Sequence, residues 1–242
     1  TQIMASGLNQ ADYDQYDRQI HVWGAETQKQ IMKATILFVN ADYINCEIMK
    51  NVVLAGMNAT LCDMTTVSET DYRECFFLRK EDCGKKKAEC VRERLQELNP
   101  RATITTVSPM DIPHSTYSLA VVSNPDMTTL TTICSSPLHI PVFAVFGDGA
   151  YSYILNLNHL SSRLPELLTM ERAQIQALNP ESSLWKLLSH LSQPLVHSPV
   201  AIAAVISGFM AKFVVSYLSG EDCVDNVFEF DGFSMNGTLY HF

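Results

Sequence analysis

Residues 34–63 run ATILFVNADYINCEIMKNVVLAGMNATLCD. Ala34–Val39 is an apolar hexapeptide with the length and composition of a buried strand. Residues 44–55 carry apolar side chains at helical spacing and stop at Gly56, a natural helix terminator. Asn58–Asp63 reads as a second short strand. A strand–helix–strand unit of about 30 residues points to a parallel sheet in which the helix is the crossover.

The same alternation extends in both directions. Upstream, residues 16–33 read as an amphipathic helix striped by Tyr16, Ile20, Trp23, Ile31 and Met32 and interrupted at Gly24. Downstream, Lys85–Leu98 reads as a charged helix ending at Asn99-Pro100, and Ala102–Val107 and Ser118–Ser123 as strands. Met127–Ser135 is expected to be helical, and Pro141–Phe146 and Tyr151–Leu157 to be strands around Gly147-Asp148-Gly149. A helical connection is expected over about 158–199, then an apolar helix at Ala201–Leu218 and two tail strands, 227–230 and 238–242. The pattern predicts an α/β fold: a mostly parallel central sheet with antiparallel strands added near the C-terminus. Residues 1–15 read as a polar N-terminal segment and 16–242 as a single domain.

Composition narrows the function classes. The 242 residues carry 17 Lys and Arg against 26 Asp and Glu, a net charge of −9. An acidic chain without a basic block is not expected to bind nucleic acid or an anionic membrane. Ala201–Leu218 is just long enough to span a bilayer, but Lys212 lies inside it and no flanking charges anchor it, so it reads as a core or interface helix. The seven cysteines are odd in number, irregularly spaced and without a CxxC pair, which excludes a disulfide framework and predicts no metal site. Free thiols suit a reducing compartment. Cys46, Cys62 and Cys134 read as core, and Cys75, Cys83 and Cys223 as candidates for exposure. Thr1–Asp17 has no apolar stretch of the secretory kind, and a first residue other than methionine leaves room for a longer natural chain.

The turn after the first strand is where a nucleotide-binding α/β protein needs glycines, so that backbone N–H groups at the helix start can approach phosphates. Here the turn is Val39-Asn40-Ala41-Asp42-Tyr43-Ile44-Asn45, with no glycine. Tyr43 is bulky where backbone must come close, and Asp42 sets a negative charge against a polyphosphate. Asp63, at the end of the second strand, is the residue type that holds a ribose hydroxyl, but without the glycine turn it reads as a remnant. Asn40, Asp42, Tyr43, Asn45 and Asp63 are therefore the lining of a degenerate site, and neither ATP nor NAD is expected in it.

YDRQIHVWG at 16–24, EIMKNVVLAG at 47–56, FFL at 76–78, GKKKAE at 84–89, LNP at 98–100, the apolar helix within 198–219 and FDGFSMNG at 230–237 together resemble the adenylation domains of ubiquitin and ubiquitin-like activating enzymes, the E1 family. That resemblance implies a Rossmann-like, ThiF/MoeB-type adenylation fold. E1 enzymes pair two such domains, one of which keeps the ATP site while the other has lost it. This chain resembles the silent half: it has Thr70–Leu78 where active relatives carry Asn-Leu-Asn-Arg-Gln-Phe-Leu, and no catalytic aspartate around Asn124–Met127. Its short length and FDG-x3-NG tail are most similar to small subunits of SUMO-activating enzymes, and the Asn40-Ala41 turn is also similar to the NEDD8 counterpart.

The resemblance implies a role for Arg18. The family places this arginine on a helix that crosses to the partner, where it reaches the triphosphate in trans. Alone, the sequence favours a surface arginine that caps or pairs locally, with Asp14 or Asp17. Tyr16 and Trp23 read as packing anchors, His21 as solvated surface, and Lys85–Lys87 as a solvated charge run. Lys50 and Asn51 match a family Lys-Asn pair and read as structural. The implied partners are a catalytic large E1 subunit, which holds ATP and magnesium, and a ubiquitin-like modifier reached through the complex. The small-residue helix containing Ala203, Ala204, Ser207, Gly208 and Ala211 would form the association surface, and the isolated chain could use it to self-dimerise. The implied location is nucleus and cytoplasm. A NEDD8-type subunit and a homodimeric sulfur-carrier adenylating enzyme stand as alternatives.

Overall fold

The computed structural model describes residues 7–112, 116–134, 140–157, 197–221 and 227–240. Most of the expected helical connection over 158–199 lies outside the described residues, as does Cys223. The chain opens with helix α1 (Gln10–Trp23), α2 (Ala25–Lys33), strand β1 (Thr35–Val39), α3 (Tyr43–Leu54) and β2 (Asn58–Cys62). Next come α4 (Glu69–Glu74), a 3-10 turn (Lys80–Asp82), α5 (Lys87–Leu98), β3 (Ile104–Thr106), β4 (Leu119–Ser123) and α6 (Met127–Cys134). The last elements are β5 (Val142–Asp148), β6 (Tyr151–Asn156), α7 (Val200–Leu218), β7 (Val227–Asp231) and β8 (Asn236–Tyr240).

The eight strands form one sheet in the order β3-β2-β1-β4-β5-β6-β7-β8. Neighbours from β3 to β5 are parallel. Those from β5 to β8 are antiparallel. This is the expected architecture. Its parallel half reverses strand order between β1 and β4, and α/β sheets open a binding crevice at such a reversal.

Strand side chains alternate between two cores, as period two requires. Ile36, Phe38, Val121, Phe143 and Ile154 face the layer built by α3, α5 and α7. Leu37, Ala120, Val122, Phe146 and Tyr153 face a second layer with Leu130 of α6. Helix α7 packs chiefly on α3, with further contacts to β6 and α2, so one face of this apolar helix belongs to the core. Ala201, Ala204 and Gly208 lie on its exposed face, whereas Ala203 and Ser207, expected on the association surface, are buried in the core.

Several boundaries differ from expectation. The first helix starts at Gln10, ahead of Tyr16, because Asn9 and Asp12 form a reciprocal capping box. Tyr16 itself has non-helical angles (φ −112°, ψ 16°), so the expected start coincides with a kink. The break at Gly24 is as expected: its φ of +85° ends α1 and begins α2. The short helix α4, capped by Ser68 and Asp71, has no apolar period and was not anticipated.

Candidate functional site

The β1–β4 reversal is closed by a knot of polar side chains. Asn40 follows β1 with φ +69°, a left-handed conformation that asparagine tolerates. Its Nδ2 donates to the Ser123 carbonyl at 2.8 Å. Asp42 caps α3, with Oδ1 accepting from the Asn45 backbone N–H at 2.9 Å. Asn45 Nδ2 donates back to the carbonyls of Val39 (2.8 Å) and Asn40 (2.7 Å). Across the crevice Asn124, also left-handed at φ +40°, donates to Asp42 Oδ2 at 2.9 Å. Asn124 Oδ1 accepts from the Gly147 N–H at 3.0 Å. One asparagine thereby joins the ends of β4 and β5 to the cap of α3. Burial pushes the Asp42 carboxyl above its ordinary range, and the hydrogen bonds from Asn45 and Asn124 pull against that rise.

Tyr43 fills the space that remains. The residue is buried, and its hydroxyl accepts from the Ser198 N–H at 3.1 Å. Its ring lies against His197, with centroids 3.8 Å apart. Gly147 is the close-approach position: a Cβ there would meet Ser198 Oγ at 2.7 Å, Ile44 Cδ1 at 2.8 Å and Tyr43 Oη at 3.0 Å. His197 Nε2 is 2.8 Å from the Glu74 carboxylate, so residues 197–199 strap the start of α3 to α4. Beside the strap a pocket of about 360 Å³ is lined by Tyr43, Glu47, Tyr72, Cys75, Phe76 and Val200, among others.

Asp63 accepts three hydrogen bonds, two within its own turn and one from the turn after β1. Oδ2 accepts from the Ala41 N–H (2.8 Å), and Oδ1 accepts from the N–H (2.8 Å) and hydroxyl (2.5 Å) of Thr65. The structure thus brings Asn40, Asp42, Tyr43, Asn45 and Asp63 together, as expected. Each is engaged as a structural brace. A phosphate at this helix start would compete with the Asp42 carboxylate for the same N–H groups and meet its charge.

Two expectations are corrected nearby. Lys87 is not part of a solvated run: its side chain is 11% exposed and pairs with Asp71 at 2.6 Å. Burial acts to lower the Lys87 pKa, but Asp71, with Asp63 and Asp42 behind it, holds it above the ordinary value. Cys75 is buried rather than exposed, because the chain turns inward at the end of α4, while Cys83 is exposed as expected. Asn51 donates to Ser207 Oγ of α7 at 3.3 Å, and Lys50 pairs with Glu47, both structural roles.

Arg18 lies elsewhere. Helix α1 is fixed at the C-terminal end of α3, opposite the crevice. Asn99, fully buried, donates to the Tyr16 hydroxyl (3.0 Å) and the Val53 carbonyl (2.8 Å). The same side chain accepts from Gln15 Nε2 and the Arg101 N–H, both at 3.2 Å. Arg101 also pairs with Asp12. Gln19, next to Arg18, donates to the Leu54 carbonyl at 3.4 Å. The 12 residues of α3 span about 18 Å, beyond the reach of an arginine side chain. Arg18 is exposed, and among the described residues it makes no hydrogen bond or ion pair. Asp17 interacts with His21 instead, and Asp14 accepts from Gln10. Tyr16 is a buried anchor, and Trp23 packs on the core while donating to Gln28 at 2.9 Å. Sequence reasoning missed Asn99, Asn124, His197 and Ser198. Asn99 was visible only as a helix stop, Asn124 and Ser198 only as the first residues of stretches read for other reasons, and His197 carried no signal.

No cluster of three or more His, Cys, Asp or Glu suited to a metal occurs among the described residues. Among solved structures the fold is similar to PaaA, with a TM-score of 0.72 at 13% identity over 97% of this chain and 84% of that one. It is also similar to Escherichia coli MccB, with a TM-score of 0.71 at 12% identity over 98% and 71%. Among curated proteins the chain is 30% identical to the Saccharomyces cerevisiae DNA damage tolerance protein RHC31 over 61% of this chain and 45% of the relative. It is 31% identical to rad31 of Schizosaccharomyces pombe over 63% and 53%. It is 36% identical to human SUMO-activating enzyme subunit 1 over 40% and 29%. The chain therefore spans about half or less of the length of these relatives. The ThiF family model matches residues 16–137, about half of the chain, which include the parallel strands β1 to β4, and the chain belongs to the ThiF family.

Proposed function

We propose that this chain is the non-catalytic subunit of a heterodimeric E1 enzyme for a SUMO-type modifier, and that it lends Arg18 to the ATP site of its partner. Adenylation builds negative charge on phosphoryl oxygens, and a guanidinium stabilises that charge through paired hydrogen bonds. The observation that carries this reading is the separation of Arg18 from the chain's own crevice. Its helix is fixed at the far end of α3, so any phosphate it serves belongs to another chain. The similarity to SUMO-activating enzyme subunit 1 supports the choice of modifier, and that name describes one subunit of a larger enzyme.

In this reading ATP and magnesium are held by a catalytic large subunit, and the present chain binds neither. The knot of Asn40, Asp42, Tyr43 and Asn124 supports that division of labour, since those side chains already hold hydrogen-bond partners within the chain. The exposed face of α7, with Ala201, Ala204 and Gly208, lets another helix approach closely and is the proposed association surface. The complex would act in nucleus and cytoplasm.

The test is ATP-dependent thioester formation on a SUMO-type large subunit, with and without this chain. Activity that requires the chain and collapses with Arg18→Ala is the expected result. Absence of binding and of stimulation would reject the SUMO assignment and move the assay to a NEDD8-type partner. Micromolar ATP binding by the isolated chain would instead revive a homodimeric adenylating enzyme.

A further inference from the structure

The pocket of about 360 Å³ beside the 197–199 strap takes no part in bracing the crevice or in placing Arg18. Its volume lies at the low end of ligand pockets, about 300–1,000 Å³. Three aromatic residues line it: Tyr43 at the start of α3, Tyr72 of α4 and Phe76 just beyond α4. Leu78 and Val200 add aliphatic surface. Phe76 is 79% exposed and Val200 63% exposed, so both stand at the mouth rather than in the core.

Two carboxylates line the same pocket, Glu47 of α3 and Glu74 of α4. Glu47 Oε2 pairs with Lys50, and Glu74 Oε2 lies 2.8 Å from His197 Nε2. The other oxygen of each has no hydrogen-bond partner among the described residues. Arg73 is the one cation in the described lining, and it pairs with Glu69 on the exposed side of α4. The pocket therefore offers aromatic surface and two open acceptor oxygens. A phosphate or carboxylate entering it would meet Glu47 and Glu74. A guanidinium fits both features: its flat face stacks on aromatic rings, and its fork of N–H groups donates to carboxylates. A lysine ammonium has neither the plane nor the fork.

We propose that this pocket receives an arginine side chain presented by a partner protein. The guanidinium donates to the Glu47 and Glu74 carboxylates against the aromatic wall, and its methylene stem lies along Leu78 and Val200. The occupant is a protein rather than a free amidine because a small ligand inside the pocket would leave the outer surfaces of Phe76 and Val200 wet. A protein surface over the mouth covers both. Val200 is also the first residue of α7 and precedes Ala201 and Ala204 on its exposed face, so the mouth is continuous with the proposed association surface. The arginine then belongs to the catalytic large subunit. Its owner rests on the proposed function, whereas the chemistry of the pocket stands without it.

The experiment has two arms. In the first, the intact chain is titrated with benzamidine, a planar amidinium on an aromatic ring, and with neutral benzamide, by ligand-observed nuclear magnetic resonance. Benzamidine should bind and benzamide should not, and Phe76→Ala and Glu74→Gln should each weaken binding about tenfold. Absence of benzamidine binding, or binding untouched by both variants, overturns the proposal. In the second arm the affinity of a SUMO-type large subunit is measured for the same three chains. Both variants should lose about tenfold, with a shallower salt dependence for Glu74→Gln. Equal affinity for wild type and both variants overturns the docking role and leaves the proposed function intact. A large subunit that does not bind the wild type rejects the proposed function and that owner of the arginine, and the benzamidine titration still decides the pocket. Phe76→Ala changes a side chain outside the core, so it keeps the test open if Glu74→Gln unsettles the His197 strap.

Discussion

The two ends of helix α3 have opposite characters. At its N-terminus the crevice between β1 and β4 is packed with polar side chains, and most of their hydrogen-bonding groups find partners within the chain. At its C-terminus a rigid set of contacts through Asn99 holds α1, yet the residue those contacts position, Arg18, has no partner among the described residues. The first region is finished and the second is incomplete. In the proposed reading, the buried asparagine and its four hydrogen bonds orient a helix that offers Arg18 to a phosphate on another chain. The crevice has the reverse logic: Asp42 takes the N–H group and places negative charge where a phosphate would go.

The strongest way to break this comparison is Arg18→Ala. Partner-dependent thioester formation should fall about 100- to 1,000-fold, the cost of removing one preorganised donor to a charged transition state. Thermal stability should not change, because Arg18 is exposed and makes no hydrogen bond or ion pair among the described residues. Equal loss of stability would make Arg18 structural. Asn99→Ala should come next. It strips partners from Tyr16 and from the Val53 carbonyl, and calorimetry should register a loss of about 2–3 kcal/mol. Activity should then fall through misplacement of α1, and excess partner should restore part of it, unlike with Arg18→Ala.

The Lys87–Asp71 pair sharpens the crevice side. Lys87→Ala should cost about 1–2 kcal/mol in denaturant unfolding, less than a fully buried pair because Asp71 keeps some solvent contact. Its pH dependence has a defined sign. Burial would raise the Asp71 pKa, but Lys87 and Ser68 hold it below the ordinary value. Its contribution is therefore present above the unfolded carboxylate pKa and lost as pH falls through the folded one. Asp71→Asn should flatten that acid limb and leave stability near neutrality lower. The smallest effect is expected for Asn40→Gly. Glycine accepts φ +69° freely and loses only the bond to the Ser123 carbonyl, so stability should stay within about 1 kcal/mol of wild type. No ATP binding should appear in a titration, since Asp42 and Tyr43 still occupy the crevice.

What the sequence made legible follows from locality. Strands and helices announce themselves by side-chain period, and β1, α3, β2, α5 and α7 lie within two residues of their expected bounds. The glycine-free turn was equally legible, because phosphate binding makes a local demand on backbone that Asp42 and Tyr43 visibly fail. Helix α4 was not, since six polar residues with capping at Ser68 carry no apolar period. The early start of α1 was legible in principle from Asn9 and Asp12, whose spacing is that of a capping box.

The state of individual side chains was another matter. Lys87 reads as one lysine in a row of three, and only the position of Asp71 in space makes it a buried cation. Cys75 sits beside an exposed Phe76 in sequence, yet its own side chain belongs to the core. Tyr43 finds Ser198 across 155 positions, and Asn124 finds Asp42 across 82. The sequence by itself determined the α/β alternation, the mixed sheet and a turn without glycine after β1, because period and turn chemistry act over a few neighbouring residues. The tertiary structure alone decided that the crevice is internally braced and that Arg18 stands free at the far end of α3. Hydrogen bonding and burial depend on groups that only the folded chain brings together.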